Sequence, residues 1–270
     1  MVSAATGPSV PGREDLRAHL LRGRIAGRVA TSRQNNLANF ARCSARYPGY
    51  TFGLDYGPEW SVPAILAMMA ERVGVSADPR FTAGVDTIDP DLTLDALDRM
   101  AQRLRVAATR RQRVLVATGH PEGIFAIHTE VAAALARSGA TVLTPAVGAP
   151  DDSEPGWRRR ITYLGGVAVV VSAGGPDHTH SPRPMRTMLA ALAADGHPAP
   201  DLVVADHGFA GAAAQAGLDT VGYADCNDPA LFIGEALGRV RVAVPLDDNV
   251  APHLYAPLTA YLLAGLLTDR

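Results

Sequence analysis

Aspartate, histidine and asparagine recur directly behind short apolar runs in the second half of this 270-residue chain. Thr118-Gly119-His120-Pro121-Glu122-Gly123 follows Val114 to Ala117, Asp177-His178-Thr179-His180 follows the run that ends at Ser172, and Asp206-His207 follows Ala205. Asp225-Cys226-Asn227-Asp228 follows Ala224, and Asp247-Asp248-Asn249 comes just after Pro245. Carboxylates that converge repel one another unless protons or a cation neutralise them, so Asp206, Asp225, Asp228, Asp247 and Asp248 suit a divalent metal. Ligation rich in oxygen with optional imidazole favours magnesium or manganese over structural zinc. Such an ion could clamp a phosphoryl oxygen and activate a water. His178 and His180, one residue apart, share a face of an extended segment and read as ligands or as an acid/base pair. His207 and His120 join them as candidates for proton transfer.

Each of these residues also has a plainer reading as a turn or helix cap, and it is their recurrence at strand ends that argues for a site. Asn227-Asp228-Pro229 has the form of an N-cap followed by proline at the first helical position. His120 is either a general acid for a leaving alkoxide or a turn residue. The loop from Thr118 through Gly119 and Glu122 to Gly123 opens a helix, where free N–H groups and the helix dipole attract anions. Glu122 would repel phosphate there unless it faces away or binds the metal, and Asn227 and Asn249 offer amides to a substrate. In the first half, Thr31-Ser32-Arg33-Gln34-Asn35-Asn36 concentrates hydrogen-bonding groups. Thr31 or Ser32 caps a helix on one reading; on the other, Arg33 reaches a substrate phosphate as a bidentate donor, with Asn36 beside it. All 25 Lys and Arg positions are arginine, which excludes Schiff-base chemistry and a lysine-bearing phosphate loop. Asp89-Pro90-Asp91-Leu92-Thr93 matches a phosphatase D-x-D-x-T string, but no apolar strand precedes it, so it is read as a helix start.

The elements that must position these groups are legible from periodicity. Strand and helix patterns alternate from Arg113 onward, with strands near 114–117, 141–144, 166–172, 201–205, 220–224 and 240–245. That alternation predicts an α/β fold: a mainly parallel, Rossmann-like sheet flanked by helices over 113–270, preceded by an N-terminal helical domain over 14–112 and a loose tail at 1–13. Residues 145–165 read as an antiparallel excursion or an exposed hairpin. The aromatic loop from Tyr47 to Trp60 reads as packed irregular structure, with a lid as the alternative. The apolar helix from Leu258 to Leu267 belongs either to the core or to a homodimer contact. With 47% apolar and 19% charged residues and a net charge of -2, the chain can bury a real core and has no basic surplus for nucleic acid. No apolar run reaches the roughly 18 residues of a membrane helix. Cys43 and Cys226 form no close pair, and the start lacks a signal-peptide pattern, so a cytoplasmic protein with a small-molecule partner is expected.

Over almost its whole length the chain resembles an actinobacterial family that carries the general name phosphatase. The resemblance rests on Arg28-Val-Ala-Thr-Ser-Arg33, Ala117-Thr-Gly-His-Pro121, His178-Thr-His-Ser-Pro182, Val204-Ala-Asp-His-Gly208, the run Gly222 to Phe232, and Val244-Pro-Leu-Asp-Asp248. A helical domain ahead of an α/β metal site is also similar, as architecture alone, to the metal-dependent damage-control phosphatases. The resemblance implies a phosphatase. Combined with the residues above, it leads to an expected cytoplasmic phosphomonoesterase that uses Mg or Mn and acts on a small phosphorylated metabolite, a sugar phosphate or nucleotide. Asp206, Asp225 and Asp247 or Asp248 would hold the ion, and Gly119 to Gly123 with Arg33 would cradle phosphate. A non-catalytic binder of such ligands and a metal-dependent isomerase or lyase are the alternatives.

Overall fold

The computed structural model describes residues 10–152 and 158–266. In chain order its elements are α1 (Arg13–Arg22), β1 (Gly27–Ser32), α2 (Arg33–Ser44), α3 (Val62–Arg72), β2 (Val85–Ile88), α4 (Pro90–Thr109), β3 (Arg113–Ala117), α5 (Phe125–Arg137), β4 (Thr141–Val142), β5 (Pro150–Asp151), β6 (Arg159–Leu164), β7 (Val167–Ser172), β8 (Gly175–Pro176), α6 (Arg183–Ala194), β9 (Leu202–Asp206), α7 (His207–Gln215), β10 (Thr220–Ala224), α8 (Pro229–Ala236), β11 (Val242–Pro245), a 3-10 turn (Pro252–Tyr255) and α9 (Ala256–Leu263).

Five strands, β7, β3, β9, β10 and β11, lie side by side in that order and run parallel. Their sequences are near-continuous apolar runs because helices cover both faces, and β9, β10 and β11 are buried at every residue. The chain passes from β3 outward to β7, then returns across β3 to start β9. Strand order therefore reverses between β3 and β9, and such a reversal opens a crevice at the carboxyl ends of the strands. The stretch left open between excursion and hairpin is antiparallel: β6 pairs with β7, β5 with β6, and short β8 folds back on β7. Gly165 and Gly166, at φ 59° and 84°, make the two-residue turn between β6 and β7, where two successive positive φ values favour glycine. Residues 153–157 of that stretch, Trp157 among them, lie outside the described residues, as do 1–9 of the expected tail and Leu267 of the expected final helix.

The N-terminal half is mainly helical, as expected, and adds the antiparallel pair β1 and β2; its helix α4 packs on β11 of the second half. α4 starts where expected: Asp89 caps it by accepting from the N–H groups of Asp91 and Leu92. It buries Leu94, Leu97, Met100 and Leu104 and lies against β11, while α1 and α9 pack on it in turn. Apart from Val169 and Leu192, the described buried apolar residues of both halves belong to one cluster. Leu258, Leu262 and Leu263 of α9 are part of it, which places those residues in the core. No helix among the described residues is long and apolar enough to cross a membrane.

Candidate functional site

A cleft of about 360 Å³ opens at the carboxyl ends of the parallel strands. Its walls carry His120 and Glu122 after β3, His178 and His180 after β8, His207 at the start of α7, Asp225, Asn227 and Asp228 after β10, and Asp248 and Asn249 after β11. Thr31 from β1 and Asn35 and Asn39 from α2 close the remaining side. Most of the expected residues are thus brought together at the strand-order reversal and its neighbours.

At the centre is His207. Its φ of 44° is left-handed, an uncommon conformation for a residue with a side chain and one that tends to mark functional sites. Nδ1 lies 2.9 Å from Asp206 Oδ1, so this nitrogen donates to the carboxylate and Nε2 points toward Asp228 at 3.5 Å and Asp248 at 3.8 Å. Asp206 also accepts from the Thr118 hydroxyl and from the Gly119 N–H at 2.7 Å. Burial alone would raise the Asp206 pKa, yet the His207 bond and charge, with His128 and Thr118, hold it below the usual carboxylate range. Burial opposes charge on His207 as well, but Asp206 and then Asp228 and Asp248 push it up to about 10. An imidazole held by a carboxylate at one nitrogen and aimed at carboxylates with the other is the arrangement that orients a metal ligand.

His180 is fixed in a similar way. Its Nδ1 lies 3.1 Å from the Gly49 carbonyl, and its Nε2 lies 3.1 Å from His178 Nε2. The aromatic loop forms a packed wall behind it, with the buried Phe52 ring 5.2 Å from His180 and 5.1 Å from His207. Burial, then the charge on His207, keeps both His178 and His180 neutral, at about 4 and about 3. The neutral ring is the form that binds metals.

On the other side, Asp225 accepts from the Thr31 hydroxyl and the Cys226 N–H, and Asp247 accepts from the N–H groups of Ala30 and Asn249. Burial, followed by repulsion from Asp248 and Asp247, raises Asp225 well above the carboxylate range; burial is also the largest cause that lifts Asp228, to about 7. Asp248 Oδ2 is buried without a hydrogen-bond partner, although His120 Nδ1, itself unpartnered, is 3.2 Å away in a poorly aligned approach. Ligand atoms gather within 4.8 Å of one another in four sets: His178/His180/His207, His207/Asp228/Asp248, Asp225/Asp247/Asp248 and His120/Glu122/His178. Groups that are fixed by hydrogen bonds, raised by mutual repulsion and left with orphaned buried atoms fit a divalent cation, whose arrival would displace protons.

Other expected residues stand elsewhere. Arg33 does not reach the cleft: it is fully buried, its Nη1 donates to Asp86 at 2.9 Å, and its other nitrogens donate to the Phe81 and Asp78 carbonyls. Asn36 is turned the same way and donates to Asp86. Together they anchor α2, which presents Asn35 and Asn39 to the cleft one helical step aside. Ser32, not Thr31, caps α2, by accepting from the Asn35 N–H.

Thr118 and Gly119 are taken up by Asp206, and the His120 N–H donates to Thr118, so the amides of Gly119 and His120 are not open to an anion. Gly119 and Gly123 are required by close approach: a Cβ would sit 2.3 Å from the Thr179 carbonyl in one and 1.7 Å from the Asp248 carbonyl in the other. Asp206 lies behind His207 and contributes no ligand atom to the four sets, while Asp247 contributes one although it stands outside the cleft lining. Thr31, Asn35 and Asn39 are the residues that sequence reasoning missed. The hydrogen-bonding string at 31–36 was the available signal for the first two, but only the helix phase shows which of its members face the cleft.

Comparison with known proteins adds a further finding. The sequence profile of a family described as Phosphatase matches residues 11–268. A Streptomyces coelicolor protein named Phosphatase SCO2771 is 51% identical over 263 residues, which covers 96% of this chain and 98% of the relative.

Proposed function

We propose, from the premise that this chain belongs to the Phosphatase family, that it is a divalent-metal-dependent phosphomonoesterase acting on a small phosphorylated metabolite. The observation that carries this reading is the lining of the cleft. Among the described residues it holds no arginine, and it does hold Glu122, Asp225, Asp228 and Asp248. With no arginine to offset its carboxylates, the lining suits bound cations, which would give it the positive charge that a phosphate dianion needs. His178, His180, His207 and the carboxylates of Asp225, Asp228, Asp247 and Asp248 are the residues that would hold them. When bound, a divalent cation supplies Lewis-acid stabilisation of the phosphoryl oxygens and makes water a nucleophile near neutral pH. The mixture of imidazole and carboxylate favours manganese over magnesium, which prefers all-oxygen surroundings.

The chain's own residues supply the rest. His120 stands in the wall with Nε2 3.8 Å from Glu122, placed to hold a proton for the leaving oxygen and to exchange it through the exposed Glu122 at the mouth. Asp206 keeps His207 in one tautomer and orientation. Asn35, Asn227 and Asn249 bind the hydroxyl-bearing remainder of the substrate, as a sugar phosphate or nucleotide would present. The test is inorganic phosphate release from a panel of sugar phosphates and nucleotides by manganese-loaded protein. Release from a subset supports the reading; binding without release favours a non-catalytic binder, and conversion without release favours an isomerase or lyase.

A further inference from the structure

We infer that the cleft holds two cations of different coordination chemistry, one on His178, His180 and His207 and the other on Asp225, Asp247 and Asp248. The inference rests on the reading of this cleft as a metal site and adds the number of ions and the division of ligands. Atoms bound to one ion at roughly 2.0–2.4 Å lie within about twice that distance of each other. The histidine set and the aspartate set each satisfy this limit, and no set contains both His178 or His180 and Asp225 or Asp247. A single ion therefore cannot use both groups in this arrangement. Asp248 also forms a set with His207 and Asp228 but none with His178 or His180, so it counts with the aspartate ion, next to the histidine group at His207.

Three further observations point to ligands rather than to a merely acidic patch. Asp248 is 5% exposed, and its Oδ2 has no hydrogen-bond partner although it faces the cleft wall at His120. Asp225 and Asp247 are held in place by neutral donors alone, Thr31, Cys226, Ala30 and Asn249. Among the described residues no arginine pairs with any of the three, whereas the buried carboxylates of Asp86 and Asp151 each face one. On the opposite side, Nδ1 of His180 and of His207 is engaged by Gly49 and Asp206, which turns both Nε2 atoms toward the other ligands, that of His180 lying 3.1 Å from His178 Nε2. With His207 Nε2 and Asp248 Oδ2 3.8 Å apart, two ions held by the two groups would border the space open to one phosphoryl group, where attacking and leaving oxygens can both be stabilised.

The test is metal content and electron paramagnetic resonance of the full-length protein, stripped and then titrated with Mn(II). The expected result is two manganese ions per chain with a signal broadened by coupling between ions whose ligands His207 and Asp248 stand 3.8 Å apart. D225N should retain one ion on the histidines, and H180A one on the aspartates, each with an uncoupled six-line spectrum. One ion in the unsubstituted protein would overturn the inference and leave the metal-dependent phosphatase reading standing. No ion in folded protein would overturn both. Two ions retained in both variants would overturn the division of ligands. Where a variant fails to fold, the stoichiometry and coupling of the unsubstituted protein decide the matter.

Discussion

Asp206 grips His207 from the side away from the cleft: Oδ1 and Nδ1 are 2.9 Å apart, and the imidazole's other nitrogen is left facing Asp228 and Asp248. The two residues are consecutive, yet they do different work, because the strand ends at one and the helix begins at the other with a left-handed turn between extended and helical backbone. Asp206→Asn should therefore act on the metal through His207. Loss of a carboxylate partner to a metal-binding histidine lowers affinity by about 10–100-fold. Competitive titration with a fluorescent chelator measures this, with a thermal melt to show that the variant is folded. Affinity unchanged in folded protein would remove Asp206 from the positioning role.

Arg33 gives a contrasting prediction. Its guanidinium and Asp86 are both almost fully buried, and removal of one member of such a pair leaves the other charged and unpaired. Arg33→Ala should cost about 3–5 kcal/mol of stability in denaturant unfolding. A stable variant with a raised Michaelis constant would return Arg33 to the phosphate.

Gly123→Ala tests the close contact beneath the cleft. The new methyl would meet the Asp248 carbonyl, so either loop must move, and both carry cleft residues. An overpacked site of this kind costs about 1–3 kcal/mol. We expect a lowered unfolding midpoint together with weakened manganese binding. A variant with the midpoint and the affinity of the parent would show that the Asp248 loop is not held by this contact.

The same residues show what the sequence made legible. Strands buried on both faces read as unbroken apolar runs, and a polar residue placed directly behind each run was a dependable pointer to the carboxyl rim. His178 and His180 at the rim, Asp225 after β10 and Asp248 after β11 all line the cleft as their positions implied. The strands β1 and β2 escaped detection because their pattern is weak: only Val29 is buried in β1, and one of the two buried residues of β2 is Asp86. That buried aspartate is also why Arg33 misled. An arginine that will pair with a carboxylate 53 residues away looks, in one dimension, like an arginine free to bind substrate. Local spacing likewise could not show that Gly119 gives its N–H to Asp206, 87 positions later.

Asn35 is the substrate-side prediction. Its neighbour Asn36 is committed to Asp86, whereas Asn35 lines the cleft from α2. Asn35→Ala removes a neutral hydrogen bond of about 0.5–1.5 kcal/mol, which corresponds to a Michaelis constant raised roughly 2–12-fold with kcat little changed. A fall in kcat at constant Michaelis constant would instead put Asn35 in contact with the reacting group.

The most direct measurement is hydrolysis of a chromogenic phosphomonoester, p-nitrophenyl phosphate, by chelator-stripped protein before and after manganese is returned. The account predicts negligible release from the stripped protein, restoration by manganese, and little restoration in Asp225→Asn. Full activity in metal-free protein would contradict it.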